Sequence, residues 1–135
     1  MLAALKSVDT SVDDLSFELI DVVAPLETMK EGERPIKELF QFMEQHDKAD
    51  LGGPGPIVHA LEAAGGYEGE LLESIRRKPG TYSLMMVHRL LGSKLPAAKR
   101  KQWLAELGRI AADKNCAADA RREAKGYLAL QASKK

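Results

Sequence analysis

Short glycine and proline runs interrupt this chain at nearly regular intervals, and they limit it to short elements of secondary structure. A continuous helix cannot pass through such runs, because proline lacks an amide donor and glycine favours non-helical backbone. The interval between breaks is about 14 residues, room for three or four helical turns each. The main breaks are Gly-Gly-Pro-Gly-Pro at 52–56, Gly65-Gly66, Pro79-Gly80, and the segment from Gly92 to Pro96.

Apolar residues between the breaks recur at three- and four-residue steps, the spacing of an amphipathic helix. The first segment of this kind contains Val12, Leu15, Leu19, Val22 or Val23, and Leu26. Thr10 or Ser11 is its predicted cap. Pro35, Pro56 and Pro96 each suit the first turn of a later helix, where the missing amide costs nothing. Further predicted caps are Thr81 or Ser83 for the fifth helix and Asn115 for the seventh.

No segment alternates polar residues with β-branched or aromatic ones over a useful length, so strands are not predicted. We therefore expect an all-α protein, with residues 1–135 forming a single domain of six or seven short helices and residues 131–135 frayed. Short connections make neighbouring helices antiparallel. Two architectures fit this pattern, a helical bundle and a short HEAT-like α-solenoid, although no clean repeat is visible.

Composition places the chain among globular proteins, with 44% hydrophobic and 30% charged residues. No apolar run approaches the roughly 20 residues that span a bilayer, and residues 1–6 do not resemble a secretory signal. Cys116 is the single cysteine, so an internal disulfide is impossible and a small buried hydrophobe is its expected role. These features predict a cytoplasmic protein without a membrane partner.

Charge is divided sharply along the chain although its total is zero. Residues 1–75 contain 16 acidic and 5 basic side chains, a net charge of −11, and residues 76–135 carry +11. The split has two explanations. The halves attract each other within the fold, or the acidic half steers a basic partner toward the protein. The basic half, with Arg76-Arg77-Lys78 and residues 94–101, raises nucleic acid as another partner, but no nucleic-acid-binding motif accompanies it.

Signals for chemistry are weak. His46, His59 and His88 are not spaced as a helical metal pair, and Gly52-Gly-Pro-Gly55 lacks the strand and Gly-Lys-Ser/Thr of a phosphate loop. Asp13 and Asp14, with Glu18 and Asp21, could hold a cation or exchange protons, but a solvated helix face explains them better. We expect no enzyme activity, no catalytic residue, no cofactor and no metal site.

Three segments of the sequence resemble small helical immunity proteins of bacterial polymorphic toxin and contact-dependent growth inhibition systems. The resemblance covers about residues 38–130 and is weakest in the first helix. Members pair a Gly-Pro-Gly-Pro-Ile-Val-His element with a later Ser-Ile-x-Arg-Lys-Pro element. The matching segments are Phe40 to Glu44 with Asp50 to Glu62, Leu71 to Pro79, and Met85 to Leu90.

The resemblance implies a cytosolic inhibitor that binds a cognate toxin C-terminal domain, in many cases a nuclease, with one-to-one stoichiometry. The expected contact is between an acidic patch on this protein and a basic active-site cleft on the toxin. Two other functions stay open: a HEAT-like scaffold or adaptor, and a nucleic-acid-binding regulator using the basic half. The predicted partner-binding residues are Asp13, Asp14, Glu18, Asp21, Glu27, Glu31 and Glu33, with Asp47 and Asp50 as a second cluster.

Overall fold

The computed structural model describes residues 1–11 and 14–133, and within those residues the chain is all-helical, as the sequence predicts. Two short 3₁₀ segments, Ala24–Thr28 and Glu31–Glu33, lie between the second and third α-helices. The α-helices of the described residues are α1 (Leu2–Lys6), α2 (Ser16–Val23), α3 (Ile36–Gln45), α4 (Pro56–Ala64), α5 (Glu68–Arg77), α6 (Thr81–Leu91), α7 (Ala97–Ala112) and α8 (Ala118–Ala132).

Proline and glycine set most helix boundaries where the sequence predicts them. Pro35 and Pro96 immediately precede α3 and α7, and Pro56 is the first residue of α4. Helix α4 ends at Gly65 and Gly66, whose φ angles of 75° and 70° lie in the left-handed region that favours glycine. The predicted fraying of residues 131–135 remains a prediction, since α8 extends through Ala132 and residues 134 and 135 lie outside the described range.

The beginning of α2 differs from the sequence prediction. Val12 lies outside the described residues, and α2 begins at Ser16, whose backbone N–H donates to Asp14 Oδ1 at 2.9 Å. Ser11 is not the cap, because its own amide and hydroxyl both donate to Asp9 Oδ1. The short helix α1 was not predicted, since a single buried residue, Leu5, gives it too little apolar pattern.

The predicted caps of α6 and α8 have different outcomes. The first amide of α6, on Thr81, donates to Asp47 Oδ1 at 2.6 Å, so one capping carboxylate comes from the loop after α3. Ser83, one of the two predicted caps, also bonds the start of the helix, accepting from the Gly80 amide at 3.2 Å and donating to the Gly80 carbonyl at 3.3 Å. Asn115 does not cap α8, which begins at Ala118 and has no side-chain cap. Asp47 and Ser83 thus share the start of α6, and the prediction for Asn115 is wrong.

Helix α6 is the centre of a single hydrophobic core. Seven of its eleven residues are buried, which is typical of a helix surrounded by others rather than of one at the surface. It packs against α3, α5, α7 and α8, while α2 packs on α4 at one end of the molecule. Contacts around one central helix are those of a bundle, so the bundle describes the fold better than a solenoid with neighbour-only packing.

Candidate partner-binding surface

Helix α2 has a fully buried stripe and an outer face that nothing in the described chain covers. Leu19 and Val23 are buried, and at 100° per residue the opposite side of the helix belongs to Phe17 and Asp21. Phe17 is 77% exposed, and Ile20, three residues along, is 50% exposed. The outer face thus presents two large apolar side chains on a helix that is already anchored on its other side.

Acidic residues border this face on one side and follow it along the chain. Glu18 and Asp21 lie beside Phe17 on α2, and three more acids follow in the 3₁₀ segments. All five are exposed, and within residues 1–11 and 14–133 none of them forms an ion pair. We call this set the acidic surface, and its members are Glu18, Asp21, Glu27, Glu31 and Glu33. Asp13, the remaining acid predicted here, lies outside the described residues.

Arg34 holds the segment that carries the later acids. Its guanidinium lies half-buried, and it binds carbonyl groups instead of a carboxylate. Nη1 reaches the last carbonyl of α4, while Nε and Nη2 bind the 3₁₀ segment and the residue after it. The four donor–acceptor distances are 3.1 Å to Leu26, 3.1 Å to Met29, 3.2 Å to Ala64 and 3.1 Å to Glu27. Since Arg can donate five N–H groups in a planar fork, one side chain fixes this whole turn against α4.

Asp14 and Asp50, predicted in separate clusters, lie next to each other in the fold. A parallel β-bridge joins them, and the Leu15 amide donates to the Asp50 carbonyl at 2.8 Å. Both carboxylates are exposed and accept local bonds, Asp14 from Ser16 and Asp50 from the Gly52 amide. The bonds from the Ser16 hydroxyl and amide lower the pKa of Asp14 from its usual value. These two acids therefore extend the acidic surface at the start of α2.

The same loop is tied to the central helix. The Leu51 amide donates to the Tyr82 hydroxyl at 2.8 Å, and that hydroxyl donates to the Ala49 carbonyl at 2.6 Å. Leu51 and Tyr82 are both buried. A hydrogen-bonded connection thus runs from α2 through the 49–51 loop to α6.

Asp47 does not belong to the acidic surface. It is half-buried, its carboxylate caps α6, and a Cβ on Gly80 would come within 2.5 Å of its Oδ1. The structure therefore gives Asp47 a role in folding, which the sequence pattern of two neighbouring loop acids does not reveal.

Ion pairs elsewhere in the described residues join the two halves at a few places. Glu44 is 9% exposed and accepts two bonds from Arg77, at 2.8 and 2.6 Å, and one from Ser74. Arg76 pairs with Glu106 at 3.1 Å, but both of these residues lie in the basic half. Attraction between the halves thus explains part of the charge split, and it occupies one base, Arg77, of the Arg76-Arg77-Lys78 run. No ion pair among the described residues includes an acid of the acidic surface.

A groove of about 990 Å³ lies where the end of α3 meets the α5–α6 and α7–α8 turns. Its wall is about equally polar and apolar, and several of its charges are already paired, as in the 2.6 Å contact between Lys48 and Asp119. Cys116 also lines it, but burial and the nearby Asp113 raise the pKa of its thiol, which keeps it protonated and a poor nucleophile. Asp47 occupies the amide end of α6 there.

Among the described residues, no helix has the length and apolar character that a membrane span requires. No group of three or more His, Cys, Asp or Glu side chains among them is placed to share a metal ion.

Comparison with known proteins adds no relative to these observations: no family model, no curated protein and no solved structure matches this chain. The surface must therefore be interpreted from its own residues. Sequence reasoning identified its acids but missed Phe17, Ile20 and Arg34. A helical wheel places Phe17 outside the apolar stripe of α2, and that position was the available signal for the first of them.

Proposed function

We propose that this protein acts by binding a basic protein domain through the acidic surface, and that it is an immunity protein that neutralises a cognate bacterial toxin domain in the cytoplasm. The observation that carries the proposal is the set of five exposed acids without internal ion-pair partners. The resemblance of residues 38–130 to small helical immunity proteins supplies the class of partner.

Electrostatics favours a basic protein as partner. Uncompensated like charges on one surface repel each other, and a basic partner relieves that repulsion while gaining long-range attraction. Such attraction raises association rates toward 10⁸–10⁹ M⁻¹s⁻¹ at low salt, roughly a hundredfold or more above an uncharged pair. Nuclease domains fit this description, since a surface built to hold phosphates is rich in Lys and Arg.

Internal pairing of the basic half supports a protein partner over nucleic acid. Arg76 and Arg77 bind Glu106 and Glu44, and the Lys78 ammonium donates to the Glu44 carbonyl. Phosphates would compete with these bonds for the same cations. One of the two basic runs considered for nucleic acid, Arg76-Arg77-Lys78, is therefore engaged within the fold.

The test is an affinity purification from the native bacterium with this protein as bait, at low salt, followed by mass spectrometry. We expect a basic C-terminal domain of a large secreted protein at one-to-one stoichiometry. That domain, expressed alone, should arrest growth, and co-expression of this chain should restore it. Recovery of nucleic acid or of housekeeping complexes instead would refute the proposal and favour the regulator or the adaptor.

A paired charge experiment tests the surface itself. Changing Glu18→Gln and Asp21→Asn together should lower the association rate with the recovered domain several-fold at low salt and flatten its salt dependence. Changing Glu68→Gln and Glu73→Gln alters net charge equally at another exposed site, on α5. Equal effects of both pairs would show that net charge matters and the location does not.

A further inference from the structure

We propose that Phe17, together with Ile20, is the apolar anchor of a docking face on α2, and that the face fits a basic protein surface containing an apolar recess. The inference rests on the proposed binding function and specifies the chemistry of the partner. Acidic residues at the edge guide encounter, while the two apolar side chains hold the complex together.

The first argument is position. Scattered exposed apolar residues are ordinary, but these two are neighbours on one helix, at i and i+3, and both lie outside its buried stripe, with Phe17 opposite that stripe and Ile20 beside it. Turning α2 to bury Phe17 in the core would expose Leu19, which is fully buried. Helix rotation therefore cannot bury both faces, and the outer face stays open within the described residues.

The second argument is composition. Protein interfaces combine a desolvated aromatic or aliphatic centre with a polar rim that excludes water. Phe17 and Ile20 provide such a centre, and Glu18 and Asp21 provide a rim of one sign. The recess on the partner must therefore be bordered by Lys or Arg.

The third argument removes the other occupants. Anionic lipid headgroups and nucleic-acid phosphates are repelled by the acids beside Phe17. In a two-fold dimer of this chain through α2, Glu18 and Asp21 of one copy would face the same acids of the other. A basic protein surface is the occupant that satisfies the apolar centre and the acidic rim together.

A selection from a random peptide library displayed on phage tests the inference without requiring the natural partner. The peptides stand in for a basic protein surface, and selection uses the intact chain at low salt. We expect enriched peptides to combine Lys or Arg with large apolar residues. Their affinity for a Phe17→Ala, Ile20→Ala double variant should fall at least about tenfold, mostly through faster dissociation. Both alanines favour the helix, and circular dichroism checks that α2 is retained.

Leu130→Ala is the matched control, since Leu130 is 49% exposed on α8 and should change peptide affinity less than about twofold. The inference is wrong if no sequence is enriched, if enriched peptides are acidic, or if the double variant binds as the wild type does. If the wild type self-associates and the double variant does not, the inference is also wrong, because the face is then an interface between copies of this chain. Peptide binding without rescue of toxin-arrested growth would leave the docking face standing and refute the immunity function. If the double variant rescues growth and binds the peptides with unchanged affinity, the immunity function stands and the docking face is refuted.

Discussion

Arg34 offers the sharpest test of how the acidic surface is held in place. Replacing it with alanine removes four hydrogen bonds that join the Ala24–Thr28 segment and Met29 to the end of α4. The Ala64 carbonyl loses a cation at a helix C-terminus, where cations are favoured.

The magnitude follows from the number and exposure of those bonds. A hydrogen bond to a charged group contributes about 1.5–3 kcal/mol where it is shielded, and much less where water can replace it. The bonds to Leu26, Met29 and Ala64 are partly buried, and the one to Glu27 is exposed. We therefore expect Arg34→Ala to lower the free energy of unfolding by about 3 kcal/mol. At about 4 °C per kcal/mol for a chain of this size, Tm falls by about 12 °C.

Thermal and urea unfolding, followed by circular dichroism at 222 nm, measure this loss. Arg34→Lys should recover less than half of it, because one ammonium cannot reach carbonyls on two sides as a planar fork does. Arg122→Ala is the control. That side chain is 77% exposed and pairs with an exposed carboxylate, so its removal should leave Tm unchanged. A Tm for Arg34→Lys equal to the wild-type value would refute the argument, since charge alone would then suffice.

Three further perturbations test other parts of the structure. Arg77→Met should lower the free energy of unfolding by about 2 kcal/mol in urea titrations, because it leaves the buried Glu44 carboxylate without its paired donor. Glu44→Gln in the same background should restore part of the loss. Gly55→Ala should lower the free energy of unfolding by at least about 2 kcal/mol in the same assay, since its φ is 90° and a Cβ would collide with the Leu51 carbonyl. Gly69→Ala on α5 is the control, because a Cβ there meets open space and should stabilise the helix slightly. Burial, reinforced by nearby carboxylates, raises the pKa of Tyr67 to about 12 from 10.0, so its contribution to stability is complete below pH 10 and is lost as the pH rises toward 12. Urea midpoints measured between pH 9 and 12 should fall less steeply for Tyr67→Phe than for the wild type.

The helices that sequence reasoning located well are those whose ends depend on local backbone chemistry. Proline at 35, 56 and 96 and glycine at 65 and 66 act through their own φ preferences, so no knowledge of the fold is needed. The start of α6, in contrast, depends in part on a distant partner. The Asp47 carboxylate reaches the Thr81 amide across 34 residues, and no local pattern contains that contact.

The residues of the candidate surface also divide into those that the sequence predicts and those that it does not. Its acids were predicted because charge is visible in composition, and a charge that finds no partner usually remains exposed. The role of Arg34 was invisible, because its acceptors are backbone carbonyls that any sequence would supply. Exposure of Phe17 depends on whether another helix crosses α2 on its outer side, which is a property of packing and not of the segment itself.

Two hydrogen bonds inside the molecule, from Leu15 to Asp50 and from Leu51 to Tyr82, allow binding at the docking face to be followed by amide hydrogen exchange. The Leu15 amide can exchange with deuterated solvent only after the start of α2 separates from the 49–51 loop, and the Leu51 amide only after that loop separates from α6. A partner that holds α2 against the loop should slow the exchange of the Leu15 amide. Slower exchange at Leu51 as well would show that the effect extends to the central helix, so occupancy of a surface helix can be followed at a buried residue.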